Sequence, residues 1–253
     1  MDIPPVFVIN LDKSPERMEK IAMRLNELDI PFERVAAVYG SNLSEYDLNS
    51  VYSSRLNARI YRRPLTMGEI GCYMSHLKVW KIIVDRLIPC ALVIEDDILI
   101  DSNVKMLSKK LAKYANSYDV VKFFCKKTNP KIIERVSVGE GYDLCRFNKV
   151  PIGNLAQLVS LEGAKKLLKT YSTFGRSVDE DIQHWWEADL NVLGIFPSAV
   201  NIIKNAESDI DNQGKRKDKT SFLGFVRNIW LRVKYELNLR VKKKNIPLPN
   251  FED

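Results

Sequence analysis

PPVFVINLDKSPERMEKIAMRLNELDIPFERV, residues 4–35, predicts a strand, a helix and a second strand in succession. Residues 6–9 form a short apolar run, which is typical of a buried parallel strand. Ser14 and Pro15 mark a helix start, because serine can cap the first turn and proline has a suitable preset φ. Apolar residues then recur every three or four positions until Pro31 ends the helix. Such a unit opens many nucleotide-binding α/β folds.

The chain repeats this alternation of strands and helices as far as about residue 200. Thr66 and Glu69 fit a capping box at the start of a helix, whose apolar face continues to Leu87 before Ile88-Pro89 breaks the helix. Residues 40–64 read as a polar loop, and a strand is predicted at 90–94. The remaining predicted elements are helix 104–114, strand 119–124, strand 154–160, helix 162–171, helix 177–188 and a final strand 191–196. This order predicts an α/β fold with a mostly parallel central sheet.

The composition fits one globular domain, or one domain with an appendage: 253 residues, of which 45% are hydrophobic and 28% charged. The four cysteines are far apart and include no Cys-x-x-Cys pair, which favours reduced thiols in a cytosolic protein. The sequence carries no stretch that reads as a membrane-spanning helix. The net charge is +7, yet residues 215–244 alone hold eleven Lys or Arg against two acids. The body is therefore near neutral, and one C-terminal segment is strongly basic.

Three acidic residues interrupt the apolar run ALVIEDDILI, residues 91–100. Clustered carboxylates repel one another and are costly to bury without partners. Glu95, Asp96 and Asp97 could cap a turn or lie in a solvated loop, but apolar residues resume at Ile98. In open α/β sheets, ligands bind beyond the carboxyl ends of the strands. A bound Mg²⁺ or Mn²⁺ would remove the repulsion and leave coordination sites for phosphate, which favours a phosphorylated substrate such as a nucleotide.

Two further stretches carry candidate functional residues. Ser75 and His76 lie on the helix that precedes the acidic strand, although a histidine there is more often a packing residue. Asp179, Glu180 and Asp181 open a predicted helix, where acids are favourable in any case because of the helix dipole.

Five blocks in this order resemble glycosyltransferase family 25: FVINLDKSPER, GEIGCYMSHLKVW, ALVIEDD, NLAQLVSLEGAKKLL and RSVDEDI. That family contains the lipooligosaccharide and lipopolysaccharide sugar transferases of Gram-negative bacteria, with the procollagen galactosyltransferases as eukaryotic relatives. The resemblance covers about residues 4–200. It implies a GT-A-like single domain with a Rossmann-like nucleotide-binding half, a UDP-sugar donor and, usually, Mn²⁺ or Mg²⁺.

The resemblance also implies roles for individual residues. Asp97 is expected to bind the metal, and Glu95 to bind the metal or the donor ribose, with Asp96 assigned to the same donor site. Asp179 is the candidate general base, and Asp181 is the alternative. The other residues that the resemblance places at the donor are Asn10, Leu11, Lys13, Ser75 and His76.

Two departures from the family pattern affect the expected site. The frequent Val-Asp-Gly of the family is Val38-Tyr39-Gly40 here, so an acidic contact is missing. Many GT-A enzymes bind the metal with a histidine after the last strand, and this sequence has no histidine there. Glu207, Asp209 or Asp211 could offer a metal ligand instead, on a weaker basis.

The resemblance predicts an inverting hexosyltransferase that moves galactose, or alternatively glucose, from a UDP-sugar to a lipooligosaccharide or lipopolysaccharide core. Two other classes remain open. A metal-dependent nucleotidyl or phosphoryl transferase would also use the acidic triplet, but no glycine-rich phosphate loop is present. A non-catalytic membrane or nucleic-acid adaptor would leave the triplet unexplained.

We divide the chain into a catalytic domain, residues 1–212, and a basic helical tail, residues 213–253. The tail predicts an amphipathic helix with an apolar row of Phe222, Val226, Ile229, Trp230, Val233, Leu237 and Val241, with Phe225 beside it and Leu231 outside it. Such a basic, Trp-bearing helix is typical of a membrane interface, here the anionic inner face of the cytoplasmic membrane through residues 215–244. The expected location is thus cytoplasmic and peripheral, with a lipid-linked oligosaccharide as acceptor. Alternatively the row packs on the body; a nucleic-acid partner is not expected, because no binding module is recognisable.

Overall fold

The computed structural model describes residues 2–125, 130–203, 222–242 and 246–251. Its centre is an eight-stranded sheet, with a separate antiparallel pair of short strands beside it. The large sheet contains β1 (Val6–Asn10), β2 (Glu33–Ala36), β3 (Cys90–Glu95), β5 (Val120–Lys122), β6 (Ile132–Gly139), β7 (Tyr142–Phe147), β8 (Ala156–Ser160) and β9 (Val192–Phe196). The short pair is β4 (Ile98–Ile100) and β10 (Val200–Ile202).

The strand order β2-β1-β3-β8-β5-β9-β7-β6 confirms an α/β fold whose sheet strands mostly run in one direction. β1 pairs in parallel with both β2 and β3, and β5 pairs in parallel with β9. β8 lies antiparallel between β3 and β5, and β7 lies antiparallel between β9 and β6. Six strands therefore point one way and two point the other, which brings the carboxyl ends of β1, β3 and β5 to one edge.

The helices are α1 (Pro15–Glu27), α2 (Glu45–Val51), α3 (Ser54–Ile60), α4 (Met67–Asp85), α5 (Val104–Ala112), α6 (Leu161–Tyr171), α7 (Val178–Gln183) and α8 (Phe222–Val241). The capping box of α4 is formed: Glu69 N donates to Thr66 Oγ1 at 3.2 Å, and Thr66 N donates to Glu69 Oε2 at 2.9 Å. The predicted cap of α1 is wrong in one respect, because the Ser14 side chain makes no capping hydrogen bond. Pro15 at the first position still sets the start of that helix.

The two faces of the sheet are covered by different helices, because successive strand residues point to opposite sides. Val6 and Val8 join the core on one face, which α1 and α5 cover. Phe7 and Ile9 join the core on the other face, which α4, α6 and α7 cover. The protein therefore has three layers, with helices on both sides of a central sheet.

Several elements were not predicted, each because its pattern is short or polar. Residues 40–64 were predicted as a polar loop, but they contain the helices α2 and α3. The predicted strand 191–196 is not the final one, since β10 follows it. β4 has only three residues after the acidic triplet, and β6 is an edge strand with exposed charges at Glu134 and Arg135. Edge strands often carry charged side chains, which oppose pairing with another chain, so this sequence reads as loop.

The tail forms the predicted helix α8, but the face that contacts the body is not the apolar row. Every row member from Val226 to Val241, together with the neighbouring Phe225, is exposed. Tyr235 is buried instead, and Arg227 donates to the carbonyl oxygens of Ala58 at 3.2 Å and Arg62 at 2.9 Å. The boundary that we predicted between residues 212 and 213 lies outside the described residues. Among those that are described, no helix combines the length and the hydropathy that a membrane span requires.

Candidate active site

The acidic triplet lies at the carboxyl end of β3, beside the end of β1. Ile9 is paired with Glu95 across the two parallel strands, so Asn10 comes next to Asp96. Asn10 Nδ2 donates to Asp96 Oδ2 at 2.6 Å and to the Ser14 carbonyl oxygen at 2.9 Å. Arg17 Nη1 lies 3.7 Å from Asp96 Oδ1. The middle carboxylate therefore ties the acidic strand to the turn before α1.

Asp97 is in a different electrostatic position from Asp96. Its Oδ1 atom is buried and accepts no hydrogen bond from the described residues. Burial raises the pKa of Asp97 to about 7, with further contributions from the charges of Glu95 and Asp96. A cation at this position would restore the charged form, and carboxylate oxygens are the ligands that Mg²⁺ and Mn²⁺ prefer. These residues therefore fit a divalent metal, with Asp97 as its main candidate ligand.

Helix α4 brings His76 and Cys72 against the third acid, Glu95. His76 Nε2 lies 3.2 Å from Glu95 Oε1, whereas the buried His76 Nδ1 has no partner among the described residues. Cys72, His76 and Glu95 hold ligand atoms within 4.8 Å of one another, which is a second possible metal-binding set. Burial and then the charges of Glu95, Asp179 and Asp97 raise the pKa of the Cys72 thiol, which disfavours the thiolate that a metal needs.

Ser75 and Leu11 make hydrogen bonds with the backbone of neighbouring segments. Ser75 Oγ accepts from Val38 N at 2.8 Å and donates to the Gly71 carbonyl oxygen at 2.7 Å. A Cβ atom at Gly71 would lie 2.4 Å from the Val38 carbonyl oxygen, so α4 contacts this segment through backbone. Lys13 Nζ lies 4.3 Å from the centre of the Tyr39 ring. Tyr39 occupies the position at which the family frequently has an aspartate. The Leu11 carbonyl oxygen accepts from Ser14 N at 3.0 Å and closes the turn after β1.

The two aspartates of α7 have different surroundings. Asp181 is buried and accepts from Tyr73 at 2.8 Å and from Arg176 Nε at 2.6 Å, so both of its oxygens are bound by the protein. Asp179 is only partly buried, and its Oδ1 accepts from Glu180 N at 3.0 Å. Its charge also acts on Cys72 and on Lys122. Of the two, Asp179 is the carboxylate that is partly exposed, whereas Asp181 is enclosed by its partners.

Lys122 is the main residue that the sequence reading missed. It is buried on β5, and its Nζ donates to the Pro151 carbonyl oxygen at 2.7 Å. Burial lowers the pKa of Lys122 to about 8, against the opposing charges of Asp179 and Glu95. A single lysine inside the apolar strand DVVKFF was the available signal, because a buried lysine needs acidic or carbonyl partners.

Two buried amides at the start of β8 also lack partners. The side-chain nitrogen and oxygen of both Asn154 and Gln157 make no hydrogen bond to a described residue. Gln157 is paired with Val93 on one side and with Lys122 on the other, so it lies between the acidic strand and the lysine. Unpaired buried amides are costly, which indicates that water or a ligand completes this part of the molecule.

These observations define an α/β protein with a cluster of carboxylates at the ends of its parallel central strands. The chain belongs to glycosyltransferase family 25: the family model described as Glycosyltransferase family 25 (LPS biosynthesis protein) matches residues 3–182. The resemblance seen in the five sequence blocks is thereby confirmed. The proposed substitutes for a late histidine, Glu207, Asp209 and Asp211, lie outside the described residues.

Three animal proteins illustrate the relationship. Procollagen galactosyltransferase 2 of Homo sapiens is 31% identical over 199 residues, which cover 72% of this chain and 30% of that protein. A glycosyltransferase 25 family member of Aedes aegypti is 31% identical over 175 residues, or 67% and 28% of the two chains. A protein of Bos taurus described as probable inactive glycosyltransferase 25 family member 3 is 29% identical over 222 residues, or 78% and 36%. The chain thus matches about a third of the length of these relatives.

Proposed function

We propose that the protein transfers a hexose, with galactose favoured over glucose, from a UDP-sugar to a lipooligosaccharide or lipopolysaccharide core, with inversion at the anomeric carbon. The observation that carries this proposal is the convergence of Glu95, Asp97 and Asp179 on Cys72, in a chain of family 25. The charges of Glu95 and Asp179 also act on the buried Lys122. Glu95 ends β3, Asp97 lies in the turn that follows, and Asp179 lies on α7, so their proximity depends on the fold.

Each of these residues has a role that its surroundings support. Asp97 and Glu95 would hold Mn²⁺ or Mg²⁺, which when bound offsets the negative charge of the UDP leaving group. Asn10 and Lys13 hold the turn after β1, where the nucleotide of the donor is expected. Asp179 would accept the proton from the acceptor hydroxyl as that oxygen attacks the sugar.

The exposed apolar row of α8 supports a membrane location for the acceptor. The side chains of Trp230 and Val233 are about half exposed. Arg240 is an exposed basic residue on the same helix. An amphipathic helix of this kind lies in the headgroup region, and each basic group near an anionic leaflet adds roughly 1 kcal/mol. The proposed location is therefore peripheral, on the inner face of the cytoplasmic membrane, where a lipid-linked oligosaccharide would be within reach.

Hydrolysis of a UDP-sugar panel with Mn²⁺, without acceptor, tests the donor part of the proposal. We expect UDP release from UDP-galactose, or from UDP-glucose, and its loss in Asp97→Asn, because a metal ligand charge is removed. Asp85→Asn is the matched control, since Asp85 makes an exposed ion pair with Lys81 on α4. Mn²⁺ should also raise the melting temperature of the wild type and not that of Asp97→Asn. Full activity of Asp97→Asn, or of the wild type in excess EDTA, would contradict the metal role.

A further inference from the structure

A cleft of about 440 Å³ lies between the tail helix α8 and the segment that begins with α7. Its walls include aromatic side chains from both sides: Tyr61 and Trp186 from the body, and Tyr235 from α8. Trp186 and Tyr235 lie 5.3 Å apart between ring centroids, and His184 lies 4.9 Å from Tyr235. Amide groups of Gln183, Asn228 and Asn238 complete the lining.

This mixture of side chains suits a carbohydrate. Pyranose rings have apolar C–H faces that pack on aromatic rings, and hydroxyl groups that require hydrogen-bonding partners around the edge. A specific pocket commonly combines aromatic walls with a few placed polar groups. Burial lowers the pKa of His184 to about 4, so this ring is neutral at physiological pH and adds no charge to the aromatic wall.

The charges of the cleft are not balanced by ion pairs within the protein. Glu180 lies 3.9 Å from Arg62, and Glu187 is paired with Arg176, so both acids have cationic partners. Lys149 and Arg232 also line the cleft, and neither forms an ion pair with an acid among the described residues. Lys149 instead lies over the Tyr235 ring, 4.6 Å from its centre. Lys234 lines the cleft as well and lies over the Trp230 ring. Three cations, Lys149, Arg232 and Lys234, therefore face Glu236, the remaining acid of the lining.

One wall of the cleft includes a residue that is next to the candidate base in the chain. Glu180, one of its lining residues, directly follows Asp179 in α7. At its other side the cleft ends on α8, whose apolar row faces away from the body. A ligand that fills the cleft would thus extend from the catalytic edge towards the side that we propose faces the membrane.

We propose that this cleft is the acceptor subsite and that it binds a saccharide carrying an anionic group such as a phosphate. Trp186, which is partly exposed, would pack on a sugar ring, and Lys149 and Arg232 would bind the anion. The inference rests on the proposed function, because an acceptor is needed only if the protein transfers a sugar.

The aromatic wall is tested in the full chain with Mn²⁺, saturating UDP-galactose and O-deacylated lipooligosaccharide as a soluble acceptor. We expect Trp186→Ala to raise the KM for the acceptor at least about tenfold, with hydrolysis of the donor in the absence of acceptor unchanged. Trp186→Phe should restore most of the affinity, because it keeps an aromatic face. An unchanged acceptor KM in Trp186→Ala would overturn the subsite, as would equal loss of donor hydrolysis in both variants.

The anionic part is tested with the same acceptor before and after removal of its phosphates with hydrofluoric acid. Arg232→Ala and Lys149→Ala should raise the KM for the phosphorylated form several-fold and leave that for the dephosphorylated form unchanged. Arg55→Ala is the matched control, since Arg55 is exposed on α3 and does not line the cleft. Equal effects on both acceptors would overturn the assignment of an anion.

Failure of the inference and failure of the proposed function give different results. If the wild type hydrolyses no UDP-sugar, the proposed function fails before any acceptor is added. If it hydrolyses the donor but transfers to neither acceptor form, binding of both oligosaccharides is measured by calorimetry. Binding that Trp186→Ala abolishes would support the subsite, and no binding to the wild type would overturn it.

Discussion

Helices α4 and α8 have nearly the same length, 19 and 20 residues, and each carries an apolar face with a tryptophan. Trp80 of α4 is 0% exposed, whereas Trp230 of α8 is 57% exposed. The apolar face of α4 packs on the sheet and on α6 and α7, while the apolar row of α8 points away from the body. Amphipathic periodicity therefore predicts a helix and a buried face, but it does not identify what covers that face.

The two helices also differ in how their polar residues are used. On α4, Tyr73 donates to Asp181, Ser75 holds the segment after β2, and His76 contacts Glu95. One helix thereby joins three parts of the candidate site, because Tyr73, Ser75 and His76 are buried and each contacts a different segment. α8 contacts the body mainly through Tyr235 and Arg227, which leaves its apolar row available for a partner.

The largest expected effect is on turnover and comes from a substitution in α7, the helix to which Tyr73 of α4 is hydrogen-bonded. Asp179→Asn should lower turnover by about 10²- to 10⁴-fold, the usual range for a general base, while the free energy of unfolding stays near that of the wild type. Steady-state kinetics and urea unfolding of the same preparation measure both quantities. Wild-type turnover in this variant would place the base elsewhere.

Asp181→Asn is the matched substitution two residues away, and it should act on stability. It removes the charge that pairs with Arg176 and weakens the acceptor of the Tyr73 hydroxyl, both buried. Breaking a buried ion pair by removing one partner typically costs about 3–5 kcal/mol. A stable but inactive Asp181→Asn would reverse the roles that we assign to the two acids.

The tryptophan of α4 provides the next test of the comparison. Trp80→Ala should lower the free energy of unfolding by about 3–5 kcal/mol, because it leaves a cavity between α4 and the sheet. Equilibrium unfolding in urea measures the loss. A change of less than 1 kcal/mol would show that α4 is not packed as described.

The acidic edge behind α4 predicts a pH dependence of stability in the metal-free protein. The pKa of Asp97 in the folded state, about 7, lies above the ordinary value of 3.8, so folding favours its protonated form. Its contribution to stability is therefore full below about pH 4 and is lost as the pH rises towards 7. In EDTA, the melting temperature of the wild type should fall more between pH 5 and pH 8 than that of Asp97→Asn. Parallel curves for the two proteins would contradict the raised pKa.

The smallest expected effect on stability is that of Trp230→Ala on α8. An exposed side chain contributes little to folding, so the free energy of unfolding should change by no more than about 0.5 kcal/mol. Co-sedimentation with vesicles that contain anionic lipid should nevertheless weaken, and raising the salt concentration should weaken it further. Early melting of Trp230→Ala would mean that the row covers core, and unchanged vesicle binding would argue against a membrane role.

The sequence by itself determined the α/β class, the order of most strands and helices up to β9, and the acidic edge after β3. These features are local: periodicity, capping residues and proline positions act within a few residues of one another. The sequence also identified the family, because five blocks in the right order are more specific than any single block. The short strands β4 and β10 escaped, since each depends on the other, which is distant in sequence. The hairpin of β6 and β7 also escaped, although its two strands are neighbours in the chain.

Only the tertiary structure distinguished residues that look alike in the sequence. Asp179 and Asp181 share one helical turn, but Tyr73 and Arg176 reach only Asp181. Lys122, on β5, joins the candidate site because the charges of Glu95 and Asp179 act on it in the fold. On α8, Leu231 lines the cleft although it lies outside the predicted apolar row, whereas the row itself is exposed. The physical reason is the same in each case. Burial and charge depend on which distant segments pack together, and no local pattern records that.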